Sequence, residues 1–141
     1  LEPELDKYDY VLIDSPAGLG PGFRLAVCGA DRAIVVAVSD PSSLRDAQRV
    51  VTQLSQLETI HLVVNRVRPR LLRRQNTTID DAMDTAGLPL LGLVPEDPKV
   101  VLAATEGRPL AQLGARRGAV RAYENIARRL TGQPVPLMGL R

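Results

Sequence analysis

Asp14 is the first residue whose position invites chemistry. The apolar run Tyr10 to Ile13 ends on it, and the chain continues Ser15-Pro16-Ala17-Gly18. A carboxylate at such a boundary is costly without a cation or a set of donors. In phosphoryl-transfer sites an acid so placed accepts a hydrogen bond from a magnesium-bound water. A glycine just beyond it lets a backbone N–H approach a terminal phosphate more closely than any residue with a Cβ. Asp14 and Gly18 suit those two tasks, and Asp14 equally suits the capping of the next turn or helix.

Two later apolar runs end as abruptly. Leu62-Val63-Val64 gives way to Asn65-Arg66, and an amide side chain can pair with the donor and acceptor edge of a purine, although Asn is also an ordinary turn former. Gly92-Leu93-Val94 gives way to Pro95-Glu96-Asp97, where Pro95 fixes the backbone. Asp97 suits either a helix cap or acceptance from an exocyclic amine, and the two are compatible. Gly18, Gly20 and Gly22, followed by Asp40, imitate a dinucleotide fingerprint, but the G-x-G-x-G spacing and Pro21 inside the loop do not give the tight strand-to-helix turn.

These residues need elements to position them. Short runs rich in Val, Ile and Leu at Tyr10 to Ile13, Ala33 to Val38, Ile60 to Val64 and Leu90 to Val94 predict four strands buried on both faces. A helix is predicted after Asp40-Pro41, with Leu44, Ala47, Val50, Val51, Leu54 and Leu57 inward. A second runs from Thr77 to Ala86, with Thr77 and Asp80 as a capping box and Gly87 as its stop. A third starts near Asp97 and ends before Gly107-Arg108-Pro109. A fourth spans Ala115 to Leu130 and packs through Val120, Tyr123, Ile126, Ala127 and Leu130. Strands alternating with helices require right-handed crossovers and an α/β, doubly wound, mostly parallel sheet whose ligands lie beyond the carboxyl ends of the strands.

Composition narrows the class. The 141 residues are 45% hydrophobic and 24% charged, enough for one domain with a core. The lone Cys28 and lone His61 exclude a disulfide framework and a Cys/His metal cluster, and point to a reducing compartment. Cys28 reads as a core residue, and His61 has no catalytic pattern around it. No apolar run reaches the roughly 18 residues of a bilayer span. Lys+Arg exceeds Asp+Glu by 18 to 16, so composition alone implies neither nucleic acid nor lipid. The arginines cluster nevertheless. Arg66, Arg68, Arg70, Arg73 and Arg74 read as an exposed loop, and Arg116, Arg117, Arg121, Arg128 and Arg129 as a solvated helix face.

In order along the chain stand Asp14-Ser15-Pro16-Ala17-Gly18, Ala30-Asp31-Arg32-Ala33, Ser42-Ser43-Leu44-Arg45-Asp46, Val64-Asn65-Arg66, Leu91 to Asp97 and Glu106-Gly107-Arg108-Pro109. This ordered set resembles the septum-site-determining MinD family of deviant Walker A ATPases, relatives of the ParA partition ATPases, and implies a P-loop NTPase-like fold that is incomplete at the N-terminus.

The resemblance implies ATP and Mg2+ as cofactors. Asp14 would hold the magnesium-bound water and act in catalysis, while Ala17 and Gly18 would line the γ-phosphate. Asn65, with Arg66 beside it, would meet the adenine, and Pro95, Glu96 and Asp97 would form the other side of the base pocket. Ser42, Ser43, Arg45, Asp46 and Arg49 would match the surface that receives a MinC-like septum inhibitor and a MinE-like regulator, although Gln48 stands where the family often has an acid. The complete protein would dimerise around ATP and bind reversibly to the inner face of the cell membrane from the cytoplasm.

The family's phosphate loop, K-G-G-x-G-K-T, lies upstream of the Asp14 strand, and Leu1 to Tyr10 does not resemble it. The chain, opening on Leu1, therefore reads as a piece of a longer polypeptide. Residues 1–132 would be the C-terminal part of the ATPase domain and inactive alone. Residues 133–141 form a proline-broken tail that stops short of a membrane-targeting helix, either cut away or lacking in this variant. The alternatives are a ParA-like partition or flagellar-number ATPase, which would set the arginine loop on DNA, and a non-catalytic adaptor of the same fold. On the main reading nucleic acid is not a partner.

Overall fold

The computed structural model describes residues 7–70, 79–113 and 117–137. Among them β1 (Arg32–Val38), β2 (Thr59–Val67) and β3 (Leu90–Pro95) form a parallel sheet in that order. Helix α1 (Pro21–Cys28) precedes β1, α2 (Pro41–Thr52) links β1 to β2, and α3 (Ile79–Ala86) lies between β2 and β3. After β3 come α4 (Pro98–Thr105), a 3₁₀ turn at Leu110–Leu113, and α5 (Gly118–Leu130). The α/β doubly wound expectation holds, with parallel pairing and helices on both faces.

Local chemistry explains the elements. The Asp40 carboxylate accepts from the N–H groups of Ser42 and Ser43 at 3.0 Å each, and Pro41 occupies the first helical turn, so α2 starts where its orphan donors are satisfied. The Ser43 hydroxyl accepts from the Val38 N–H at 3.1 Å and ties that helix start to the end of β1. The apolar side chains then divide between the two faces of the sheet, alternating through Leu62 to Val64 of β2. Val35 and Ala37, Leu62 and Val64, and Leu93 pack against Leu44 and Ala47 of α2 and Ala82 and Ala86 of α3. Val63, Leu91 and Val94 pack against Ala119, Ala122 and Ile126 of α5 on the other face. The Gly87 N–H donates to the Met83 carbonyl at 2.8 Å and closes α3 as expected, while Thr77 and the rest of its capping box lie outside the described residues.

Several expectations are corrected. Tyr10 to Ile13 is not a buried strand. It has no ladder partner in the described sheet, and Tyr10 and Leu12 are 62% and 87% exposed. A strand needs a neighbour for its backbone groups, however apolar its sequence. Cys28 is exposed, because α1 turns Val27 into the core and the next residue lies about 100° around the helix. Arg66 lies inside β2 rather than in the loop after it. In α5, Tyr123 and Ala127 are exposed, and the apolar face is carried by Ala119, Val120, Ala122 and Ile126.

Arg129 also departs from expectation. Instead of lying on a solvated face, its guanidinium donates Nη1 to the Leu91 carbonyl at 2.7 Å, Nε to Val135 at 2.9 Å and Nη2 to Pro136 at 2.6 Å. One side chain thus fastens β3, α5 and the tail together. The helix approaches so closely because Gly92 has no side chain: a Cβ there would collide with Ile126.

Two substitutions test this packing by chemical denaturation of the chain. Arg129→Ala should cost about 2 kcal/mol, since charged donors lose three carbonyl partners. Gly92→Ala should cost about 1–3 kcal/mol through overpacking against Ile126. An unchanged midpoint in either variant contradicts the corresponding contact.

Candidate functional site

The carboxyl ends of β2 and β3 converge on one carboxylate. Arg68, just past β2, donates Nη2 to Glu96 Oε1 at 2.6 Å and Nε to Oε2, a two-pronged pairing that only a guanidinium makes. Arg66 Nη2 reaches the same Oε1 at 3.3 Å. The hydrogen bond from Arg68 is the main cause holding the Glu96 carboxyl below the usual range, with the Arg66 hydrogen bond and both positive charges adding to it. The same bond and charge hold the Arg68 guanidinium more firmly protonated. The backbone supports the arrangement. The Glu96 N–H donates to the Val67 carbonyl at 3.0 Å, and Val67 pairs with Pro95 after a register shift that begins at Val64.

That shift is built around Arg66, whose φ is +51°, a left-handed conformation uncommon for a residue with a long side chain. The half-buried Asn65 accepts the Arg66 N–H on Oδ1 at 2.9 Å; the donor end of its amide takes no part in that bond. Val38, Ser39, Asp40, Arg66 and Arg68 line an open cleft of about 220 Å³. It is smaller than pockets that enclose a drug-sized ligand, so it suits one end of a molecule rather than the whole.

Asp97 is occupied on both oxygens. Oδ1 accepts from the Lys99 N–H at 3.0 Å and caps α4, and Oδ2 accepts from the Ala119 N–H at 3.1 Å at the start of α5. The first cap is legible from Asp97-Pro98; the second joins residues 22 apart and has no local signal.

Asp14, Ala17 and Gly18 are exposed, in an irregular segment before α1. Gly18 has φ +85°, which its missing Cβ allows. Pro16 lies over Gly22 of α1, where a Cβ would stand 2.7 Å from the proline ring. Asp14 makes no hydrogen bond or ion pair among the described residues. The structure therefore joins Arg66 and Glu96 directly, sets Asn65 and Pro95 beside them on the two strand ends, and does not bring Asp14 into contact with them. On α2, Ser42, Arg45, Asp46 and Arg49 form an exposed stripe with an Arg49–Asp46 ion pair at 3.4 Å, whereas Ser43 is half-buried on the Val38 N–H. Arg68 was legible only as one of several loop arginines, because its partner lies 28 residues away.

Guanidinium donors of Arg66 and Arg68 line the open cleft, and the Asn65 amide precedes Arg66 on the same strand end, donor and acceptor chemistry of the kind that a nucleotide base requires. Among the described residues no three His, Cys, Asp or Glu side chains gather as a metal site. A lone carboxylate such as Asp14 still suits Mg2+, which keeps several waters and is held through few carboxylates together with phosphates. No described helix is long and apolar enough to cross a membrane.

No family model matches the chain. MinD of Bacillus subtilis is 44% identical over 138 residues, covering 95% of this chain, and MinD of Synechocystis is 40% identical over 136 residues, covering 94%. In structure, the MinD cell division protein of Aquifex aeolicus matches with a TM-score of 0.89 at 35% identity over 98% of this chain. The chain is homologous to MinD proteins over nearly its whole length. It spans about half the length of the MinD relatives it matches, 51% of each, and corresponds to their C-terminal part. It covers 61% of the Aquifex MinD and 57% of that protein's chain in a MinC:MinD cell division complex, also at TM-score 0.89. A Pyrococcus horikoshii MinD complexed with Mg-ADP matches with a TM-score of 0.79 at 28% identity, 53% of it being covered.

The Asp97 double cap in this MinD homologue predicts that Asp97→Ala destabilises the chain by about 2 kcal/mol, roughly twice a single lost cap. Thermal unfolding followed by circular dichroism measures it, and a loss no larger than that of one exposed cap contradicts the second bond.

Proposed function

We propose that this chain is the C-terminal part of a MinD-type ATPase that takes part in choosing the division site. The observation that carries the reading is the match to MinD proteins over nearly the whole chain, in sequence and in fold, together with a strand-end cluster suited to the base end of a nucleotide. The Mg-ADP complex of one structural relative and the MinC:MinD complex of another support the choice of nucleotide and partner.

On this reading residues 1–132 complete an ATPase domain whose other part supplies the phosphate loop, and residues 133–141 lead toward a membrane-targeting helix. Bound Mg2+ neutralises charge on the transferring phosphoryl group. Asp14 would orient a water of that ion by accepting a hydrogen bond from it, and the backbone at Ala17 and Gly18 approaches the terminal phosphate. Asn65 reads the adenine edge with its amide, Arg66 lies beside it, and Pro95, Glu96 and Asp97 wall the far side. Because Asp97 already caps two helices, it shapes the pocket chiefly through backbone position. ATP then drives homodimerisation and reversible attachment to the cytoplasmic face of the membrane. The α2 stripe of Ser42, Arg45, Asp46 and Arg49, with Ser43 setting the helix start, receives a MinC-like inhibitor or a MinE-like regulator.

The test uses the complete protein. Asp14→Ala should lower ATP turnover by at least about a hundredfold, the scale of losing one group that stabilises the transition state, while the melting curve stays in place. Turnover within a factor of two of wild type refutes the role. Charge reversal by Arg45→Glu should weaken capture of the MinC-like partner without changing basal turnover. Unchanged capture removes the stripe from the interface.

A further inference from the structure

Arg66, Glu96 and Arg68 differ from an ordinary surface ion pair in three respects. The pairing of Arg68 is two-pronged, with Nη2 on Oε1 at 2.6 Å and Nε on Oε2, whereas Arg66 makes a single contact of 3.3 Å. The backbone of Arg66 is left-handed, a conformation that persists only where its surroundings over-determine it, and such residues gather at functional sites. Both guanidiniums line the cleft beyond the strand ends, whose one acidic side chain, Asp40, already has an oxygen engaged by the N–H groups of Ser42 and Ser43. The group thus has an anchor, Arg68, a link, Glu96, and a cleft-lining guanidinium, Arg66.

The distinction matters for base recognition. An arginine with its fork open is a donor-only group that pairs best with two acceptors side by side, the O6 and N7 of guanine. An amide offers one donor and one acceptor and pairs with the N6 and N7 of adenine. Asn65 and Arg66 are neighbours, so a free Arg66 would compete with Asn65 for the base and favour guanine. With Nη2 held on Glu96, Arg66 has less of its fork to offer and can lie flat beside a base instead.

We infer that Arg68 is a positioning residue for base specificity: by clamping Glu96 on both oxygens it keeps Glu96 on Arg66, withdraws the Arg66 fork from the base edge and leaves the choice of adenine to Asn65. The inference rests on the nucleotide reading proposed above.

The test measures binding of ATP and GTP, with Mg2+, to the complete protein by calorimetry, alongside kcat and KM for each. Wild type should prefer ATP. Arg68→Ala should narrow the ATP-to-GTP preference about tenfold, the scale of one two-pronged base contact, by gaining GTP affinity and raising KM for ATP more than it lowers kcat. Glu96→Gln should move the ratio the same way, and the double variant should do no more than either single one, because both act through Arg66. Arg68→Lys should not restore the ratio, since an ammonium cannot occupy both oxygens in the fork geometry. A merely structural Arg68 would lower stability and leave the ratio where it was. If Arg68→Ala and Glu96→Gln both keep the wild-type ratio in a protein that binds ATP, the inference falls and the nucleotide reading stands. If wild type binds neither nucleotide, both fall.

Discussion

The structure depends on the burial of β2 between two layers of helix. Leu62 and Val64 have no exposure at all, Val63 faces the opposite layer, and ladders run from this strand to both neighbours. A parallel strand paired on both edges and covered on both faces through Leu62 to Val64 cannot slide or tilt there without opening two cores. Rigidity there fixes where the strand stops. Asn65 and Arg66 therefore sit at a defined depth, in the register shift just before Val67 pairs with Pro95, and a ligand beyond the sheet would meet a surface positioned by the core.

Charge at this edge is organised through polar capping of the same framework. Asp40 and Asp97 each stand just beyond a strand and each closes the start of the next helix, so these two carboxylates join strand to helix at the edge where the cleft opens beside Asp40. Glu96 is the exception: it serves two guanidiniums instead of a helix. Arg129 plays the matching role on the other face, where three carbonyls from β3 and the tail share one cation.

Much of this was legible in the sequence. The Val- and Ile-rich runs gave three strands within two or three residues at each end, the Asp40-Pro41 and Asp97-Pro98 pairs gave two helix starts, and Gly87 gave a helix stop, because each signal is local. Tyr10 to Ile13 misled for a physical reason. Its pattern reports a demand for burial, and the described residues do not meet that demand. Ile34 and Val36 of β1 are likewise 38% and 61% exposed, so this side of the sheet carries more apolar surface than the described residues cover. That excess fits a chain spanning half the length of its MinD relatives. The site was only half legible. Residue types at strand ends marked Asn65, Arg66 and Glu96, but nothing local announced that Arg68 would take the carboxylate 28 residues away, or that Asp97 would cap a second helix.

The most direct measurement is the crystal structure of the complete protein with Mg2+ and a non-hydrolysable ATP analogue. The base is expected at the ends of β2 and β3, in contact with Asn65, and the terminal phosphate within reach of the backbone at Gly18. A nucleotide bound elsewhere, with Asn65 and Gly18 both free of it, would contradict the account.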